Sequence, residues 1–162
     1  MSPPDASGAW PDLAGRIVTD AGGRRHVLPI RVYFEDTDFS GLVYHGSYVR
    51  WCERGRSDFL RLIGNDHRAL IDGGAGREPS AFVVRRMGLE FLKPARIDEV
   101  LQVETRVKAT TAATLTLDQR VFRSDTLLFT AEVMVVLISA SGKPLRLSAA
   151  LRDALQEQPG SA

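Results

Sequence analysis

Two hydrophobic periods divide the chain. Val27, Leu28, Ile30, Val32, Tyr33 and Phe34 are aliphatic, β-branched or aromatic and partly alternate, which predicts a first strand over Val27 to Glu35. Asp36 to Gly41 is polar and contains a glycine, so it reads as a loop. From Gly46 the period changes: Tyr48, Cys52, Gly55, Phe59 and Leu62 recur at spacings of 4, 3, 4 and 3, one face of an α-helix. Val49, Leu60 and Ile63 widen that stripe, and Arg50, Glu53, Arg54, Arg56, Asp58 and Arg61 fall mostly on other faces. The pattern predicts a helix of about 17 residues, roughly 25 Å long. Gly64-Asn65 is its stop signal.

Beyond a short helical turn at Arg68 to Asp72 and a Gly/Pro-bearing loop, the chain alternates as strands. Ala81 to Leu92, Glu99 to Thr110, Ala113 to Arg123 and Leu127 to Ser139 are separated by short polar connections. The last is long and nearly continuously apolar, which predicts a strand that is central or covered on both faces. Ser148 to Gln156 reads as a C-terminal helix. One long amphipathic helix must bury its stripe against something, and short connections favour antiparallel neighbours. The expected fold is α+β: a central helix wrapped by a curved five-stranded antiparallel sheet. Residues 1–26, rich in Pro, Gly and Ala, read as a flexible or loosely docked extension, with Gly22-Gly23 as a turn between two short extended pieces and Trp10 as a docking residue; the folded domain is expected over 27–158.

Composition narrows the function. A net charge of +1 argues against a general nucleic-acid binder. The single cysteine, Cys52, forms no intrachain disulfide and supports no Cys-based metal site; its place in the helix stripe makes it a core residue. His26, His45 and His67 are isolated, so no metal or other cofactor is expected. No apolar run reaches membrane-spanning length, and the N-terminus lacks a secretory pattern. No G-x-S-x-G elbow is present, which excludes a serine hydrolase of the α/β type.

The string Asp36-Thr37-Asp38-x-x-Gly41-x-Val43-Tyr44-His45-x-x-Tyr48 resembles the signature of hotdog-fold acyl-CoA thioesterases of the 4-hydroxybenzoyl-CoA thioesterase class. Glu53-Arg54-x-Arg56, Phe82-Val83-Val84-Arg85-Arg86-Met87 and Lys93-Pro94-Ala95-Arg96 resemble its YbgC-like branch, which is associated with the Tol-Pal envelope system. The resemblance covers roughly residues 27–150, and Phe39-Ser40 departs from the small residues expected there. It implies the hotdog fold, hydrolysis of acyl-CoA without a cofactor, and a homodimer assembling to a tetramer with sites between protomers. Acyl carrier protein is a further candidate partner. The implied location is cytoplasmic, with peripheral attachment to the inner membrane as an additional expectation.

The chemistry fits these residue types. Thioester hydrolysis needs a carboxylate to attack the carbonyl or activate water, and a donor for the oxyanion. By the resemblance, Asp38 is the catalytic acid and the backbone N–H of His45 is the main donor. A helix start supplies unpaired N–H groups. Gly41 permits the turn back to the helix, and Gly46 permits close approach of substrate. Tyr44, Ser47, Arg85 and Arg86 complete the expected substrate-binding set; Lys93, Arg96 and Arg56 are further candidates for the phosphates of coenzyme A. Asp36 reads as a structural acid, Glu53 as a second carboxylate or an ion-pair partner. The competing reading is an acyl-ligand or carrier-protein scaffold without turnover.

Overall fold

The computed structural model describes residues 15–65, 67–74 and 76–156. Trp10 and the rest of 1–14, and residues 157–158 of the expected domain, lie outside the described residues. Six strands form one antiparallel sheet: β1 (Arg16–Asp20), β2 (Gly23–Arg31), β3 (Ser80–Phe91), β4 (Val100–Thr110), β5 (Thr114–Arg123) and β6 (Thr126–Ser139). Their spatial order is β1-β2-β4-β5-β6-β3. The helices are α1 (His45–Leu62), α2 (His67–Asp72) and α3 (Ala149–Gln156). α1 lies between β2 and β3 in sequence, and those strands sit toward opposite sides of the sheet, so the helix must cross its face.

The sheet has one strand more than the hydrophobic pattern predicts. The extra strand is β1, in the segment read as an extension. It pairs with β2 from Arg16↔Val27 to Asp20↔Gly23, around a turn at Ala21–Gly22. β2 begins at Gly23 and crosses the 26/27 position where the pattern puts the start of the domain. A polar network joins this end to the helix. The Gly15 N–H donates to Asp58 Oδ2 at 2.7 Å, and His26 Nε2 lies 2.6 Å from the same oxygen. Arg61 pairs with the other oxygen of Asp58. Alternation alone could not reveal β1, because its five residues are mostly exposed and become strand by pairing with β2.

β2 also ends earlier than expected. Phe34–Asp36 is a 3₁₀ turn rather than strand. The buried Asp36 carboxylate accepts the Tyr33 N–H at 2.8 Å, and this bends the chain out of the extended form.

α1 packs Tyr48, Trp51, Cys52, Gly55, Phe59 and Leu60 into the core. The strands present Leu101, Val103, Leu115, Leu117, Val121, Phe129 and Val133 to the same core. Each such large side chain is worth roughly 1.5–3 kcal/mol when fully buried. Among its apolar positions the stripe differs in two places, and Arg56 and Asp58, expected off it, are also buried. Trp51, 1% exposed, belongs to it, and Leu62, 40% exposed, does not. The C-terminus of α1 explains Leu62. Gly64 takes φ +85°, its N–H donates to Arg61 O, and the Asn65 N–H donates to Leu60 O at 2.8 Å. This Schellman closure ends the helix where the Gly64-Asn65 signal predicts. β6 lies between β5 and β3, in keeping with its apolar run. Register shifts leave Arg85 of β3, Lys108 of β4 and Leu128 of β6 unpaired, the kind of extra residue that bends a strand.

Candidate active site

The site is built where the chain leaves β2 and returns to start α1. Asp36 is the latch. Its carbonyl accepts the Tyr44 N–H at 2.8 Å and the Ser47 hydroxyl at 2.9 Å. Arg50 donates to the same Ser47 hydroxyl and approaches Asp36 Oδ1 at 3.9 Å. Between these ends the chain makes a tight loop. Thr37 bridges Val43, the Asp38 N–H donates to Leu42 O, and the Gly41 N–H donates to Asp38 O, each of these hydrogen bonds 3.0 Å long. Gly41 has φ +80°, a conformation that favours glycine. It therefore serves the turn.

Asp38 is exposed at the base of this loop. Its Oδ1 accepts the Ser40 hydroxyl at 2.5 Å and the Ser40 N–H at 2.8 Å; Oδ2 accepts no hydrogen bond among the described residues. The Ser40 hydroxyl, then its N–H, hold the carboxyl below the usual carboxylate range, and His45 adds to this through space. Ser40, a departure from the expected small residues, thus orients the acid. Phe39 projects fully into solvent at 106% exposure.

Tyr44 is the N-cap of α1 and makes no side-chain capping bond. The Ser47 N–H closes on Tyr44 O at 2.9 Å, while the N–H groups of His45 and Gly46 make no hydrogen bond among the described residues. A Cβ on Gly46 would lie 2.6 Å from the Tyr44 ring, so this glycine makes room for that ring over the first turn. The His45 imidazole lies 4.3 Å from the Tyr44 ring and 6.2 Å, edge-on, from Phe91. His45, Leu42, Tyr48, Phe91, Leu92 and Lys93 line a cleft of about 270 Å³. Tyr48 is a core residue here, stacked 5.1 Å from Phe129.

The loop thus gathers Asp38, Gly41, Tyr44, His45, Gly46 and Ser47. Arg85 and Arg86 are not gathered with them. They lie at the register shift in the middle of β3, and Arg86 faces Glu132 at 3.7 Å. At about 3.3 Å per residue they are roughly 17–20 Å along the strand from Phe91. Arg56 is buried on Gln119 and is unsuited to a solvent-side phosphate, which leaves Lys93 as the base in the cleft. Glu53 is exposed and accepts the Ser57 hydroxyl. Phe91 and Leu92 are the cleft residues that sequence reasoning missed; their signal was an apolar pair at a strand end, indistinguishable from core. No cluster of three or more His, Cys, Asp or Glu side chains suited to a metal exists among the described residues.

Residues 40–130 match the family model described as thioesterase superfamily. The chain belongs to the thioesterase superfamily. The matched segment begins two residues after Asp38 and includes His45 and α1. The acyl-CoA thioester hydrolase YbgC of Escherichia coli O6:H1 is 42% identical over 111 residues, covering 68% of this chain and 79% of that one. The acyl-CoA thioesterase YbgC of Haemophilus influenzae is 36% identical over the same shares. The crystal structure of a probable thioesterase from Bartonella henselae superposes with a TM-score of 0.74 at 43% identity, over 76% of this chain and 99% of that one. The YbgC-like resemblance of the sequence therefore holds, the fold is the hotdog fold, and the activity that accompanies membership is thioester hydrolysis.

Proposed function

We propose that the protein hydrolyses acyl-CoA thioesters to a carboxylic acid and coenzyme A, with Asp38 as the acting carboxylate and the start of α1 as the oxyanion site. What supports this reading is that one short loop leaves Asp38 Oδ2 without a hydrogen bond at one end and the His45 and Gly46 N–H groups unbonded at the other, with His45 acting on the Asp38 carboxyl through space. Either Asp38 attacks the carbonyl carbon, or it takes the proton of a water that does. Both routes move charge onto the carbonyl oxygen, where the His45 and Gly46 N–H groups stabilise it. Collapse of the adduct expels the thiolate, which takes up a proton. Along the attack route, water then cleaves the Asp38 anhydride.

One wall of the cleft is incomplete within a single protomer. Phe39, Tyr44, Phe91 and Leu92 are exposed around it. β3 is also an edge strand, paired with β6 on one side only. A second copy joined along β3 covers such apolar surface and brings its own Arg85 and Arg86 near the two-fold axis. We take the working assembly to be a homodimer, extended to a tetramer as in the implied family pattern. No helix is long and apolar enough to cross a membrane among the described residues. A cytoplasmic location, contact with the inner membrane, a link to Tol-Pal and use of acyl carrier protein belong to this same reading.

Thiol release from a panel of aliphatic and aromatic acyl-CoA and acyl-carrier-protein thioesters tests it. Turnover by wild type that is lost in Asp38→Asn supports hydrolysis. Equal background release by both proteins, with ligand binding retained, replaces it with the scaffold reading.

A further inference from the structure

A second cavity lies away from the catalytic cleft. It is a crevice of about 110 Å³ between α1, α2 and the sheet, lined by Arg56, Ser57, His67, Phe82, Val84 and Leu117, among others. The two cavities share no lining residue. Arg56 lies three turns beyond His45, roughly 16 Å along the helix.

The unusual group in this crevice is Arg56. It is 7% exposed, yet no carboxylate lies within 4.0 Å of it among the described residues. Its side chain makes one hydrogen bond, from Nη1 to Gln119 Oε1 at 2.9 Å. Gln119 is fully buried, and its Nε2 donates to Cys52 O and Thr105 Oγ1, both at 2.8 Å. The amide is fixed on both sides, so the guanidinium is held in place by a neutral partner. A buried cation is normally paired, because desolvation is costly without a compensating charge. Arg56 lines the crevice, its other guanidinium nitrogens make no hydrogen bond among the described residues, and Glu53 of the same lining, more than 4.0 Å away, acts on it only through space.

The surroundings extend the polar end. Ser57 Oγ lies 2.9 Å from His67 Nε2 and 3.0 Å from Glu53 Oε1. Ser57 has one proton, and Glu53, as a carboxylate, takes it; His67 Nε2–H then donates to Ser57. The opposite walls are apolar: Leu60, Phe82, Val84, Leu117 and Val135. Glu53 belongs to the same lining, and its charge opposes a multiply charged anion such as a phosphate more strongly than a singly charged one. The volume corresponds to about three or four waters at ~30 Å³ each, enough for a carboxylate on a few carbons.

We infer that this crevice binds a singly charged carboxylate on a short apolar body, with Arg56 as its counter-charge. Arg pairs with carboxylates through two parallel N–H donors, and a guanidinium fixed in advance loses little freedom on binding. The carboxylate has two possible sources: a free short-chain acid, or the distal carboxylate of a dicarboxylic acyl thioester bound across the protomer interface.

The full chain is titrated with butyrate and with butyramide, followed by calorimetry and amide NMR shifts. Butyrate binds saturably, perturbing α1 and α2, and butyramide binds at least ~10-fold more weakly. Arg56→Gln lowers butyrate affinity at least ~10-fold. Val84→Phe, which fills the crevice from a half-exposed strand position, abolishes binding and keeps the inference testable if Arg56→Gln does not fold. Equal binding of acid and amide, absence of saturation, or unchanged affinity in either folded variant overturns it. A second arm compares succinyl-CoA with butyryl-CoA. Loss of kcat/KM confined to succinyl-CoA in Arg56→Gln assigns the carboxylate to the substrate; equal rates on both with butyrate binding lost assign it to a free acid. Only this second arm rests on the proposed hydrolysis of acyl-CoA, so the two readings fail separately.

Discussion

Replacing Asp38 by Asn is the sharpest probe of the site, because it separates charge from shape. Asn keeps the size of the side chain, and its carbonyl oxygen can still accept the two Ser40 bonds that Oδ1 accepts at 2.5 and 2.8 Å. The turn from Asp38 to Gly41 is made by backbone groups and remains. What is removed is the negative charge on Oδ2, the one oxygen left free to attack or to take a proton. Loss of a positioned acid–base group costs about 10²–10⁴-fold. The expected result is a fall of that size in kcat with an unchanged melting temperature, since Asp38 is exposed and packs on nothing in the core. The pH profile adds a second reading. Ser40 holds the Asp38 carboxyl below its usual range, so the working carboxylate persists to more acidic pH than an ordinary aspartate. Activity is lost only as pH falls through that lowered value. Ser40→Ala removes the hydroxyl bond to the charged form, so the acid limb of kcat/KM should move up toward the ordinary aspartate value of about 3.9. Thiol release over a pH series measures both effects. Asp38→Asn within tenfold of wild type, or a Ser40→Ala acid limb that moves down, refutes the assignment.

The remaining predictions concern the scaffold. Burial holds the His26 imidazole below its usual range despite Asp58, and its unpartnered, buried Nδ1 would be an orphan donor if protonated. The unfolded chain therefore binds more protons below about pH 6.5, so stability should fall as pH drops from 7 toward 5; thermal melts should show this slope, and His26→Gln should flatten it. Phe59→Ala should cost about 3–5 kcal/mol in denaturant unfolding, because Phe59 is buried against the His26 ring and beneath Arg24; wild-type stability would contradict its place in the core. Burial pushes the Cys52 thiol up to about 12, so a thiol reagent at pH 8 should label it only after denaturation.

The helix, the later strands and their order of appearance were legible because each depends on local period and local punctuation. Leu101 and Val103 alternate inward, and Gly64-Asn65 ends α1 through bonds to its own last turn. β1 was only partly legible: the Gly22-Gly23 turn marks its end, but its five residues carry a weak pattern and become strand by pairing with β2. Arg56 illustrates the same limit. On a helical wheel it is one of several charged residues off the apolar stripe, and only the folded contact with Gln119 removes it from solvent. The cleft residues Phe91 and Leu92 fail differently: apolar character at a strand end is the same letter whether the residue packs inward or faces a ligand.

The two acids of the loop bring these limits together. On an extended chain Asp36 and Asp38 would point the same way, and spacing alone could not tell the latch from the acting group. The 3₁₀ turn breaks that equivalence, and Asp36 itself stabilises the turn by accepting the Tyr33 N–H. Its carbonyl then receives Tyr44 and Ser47, which fixes where α1 begins and leaves the His45 and Gly46 N–H groups facing outward unbonded. Asp38, two residues on, lies beyond the turn and is held only by Ser40, from one side. One acid is buried so that the helix start is placed; the other stays exposed because the placing is already done. A substitution at Asp36 should therefore disturb the donors and the acid together, whereas one at Asp38 removes the acid alone.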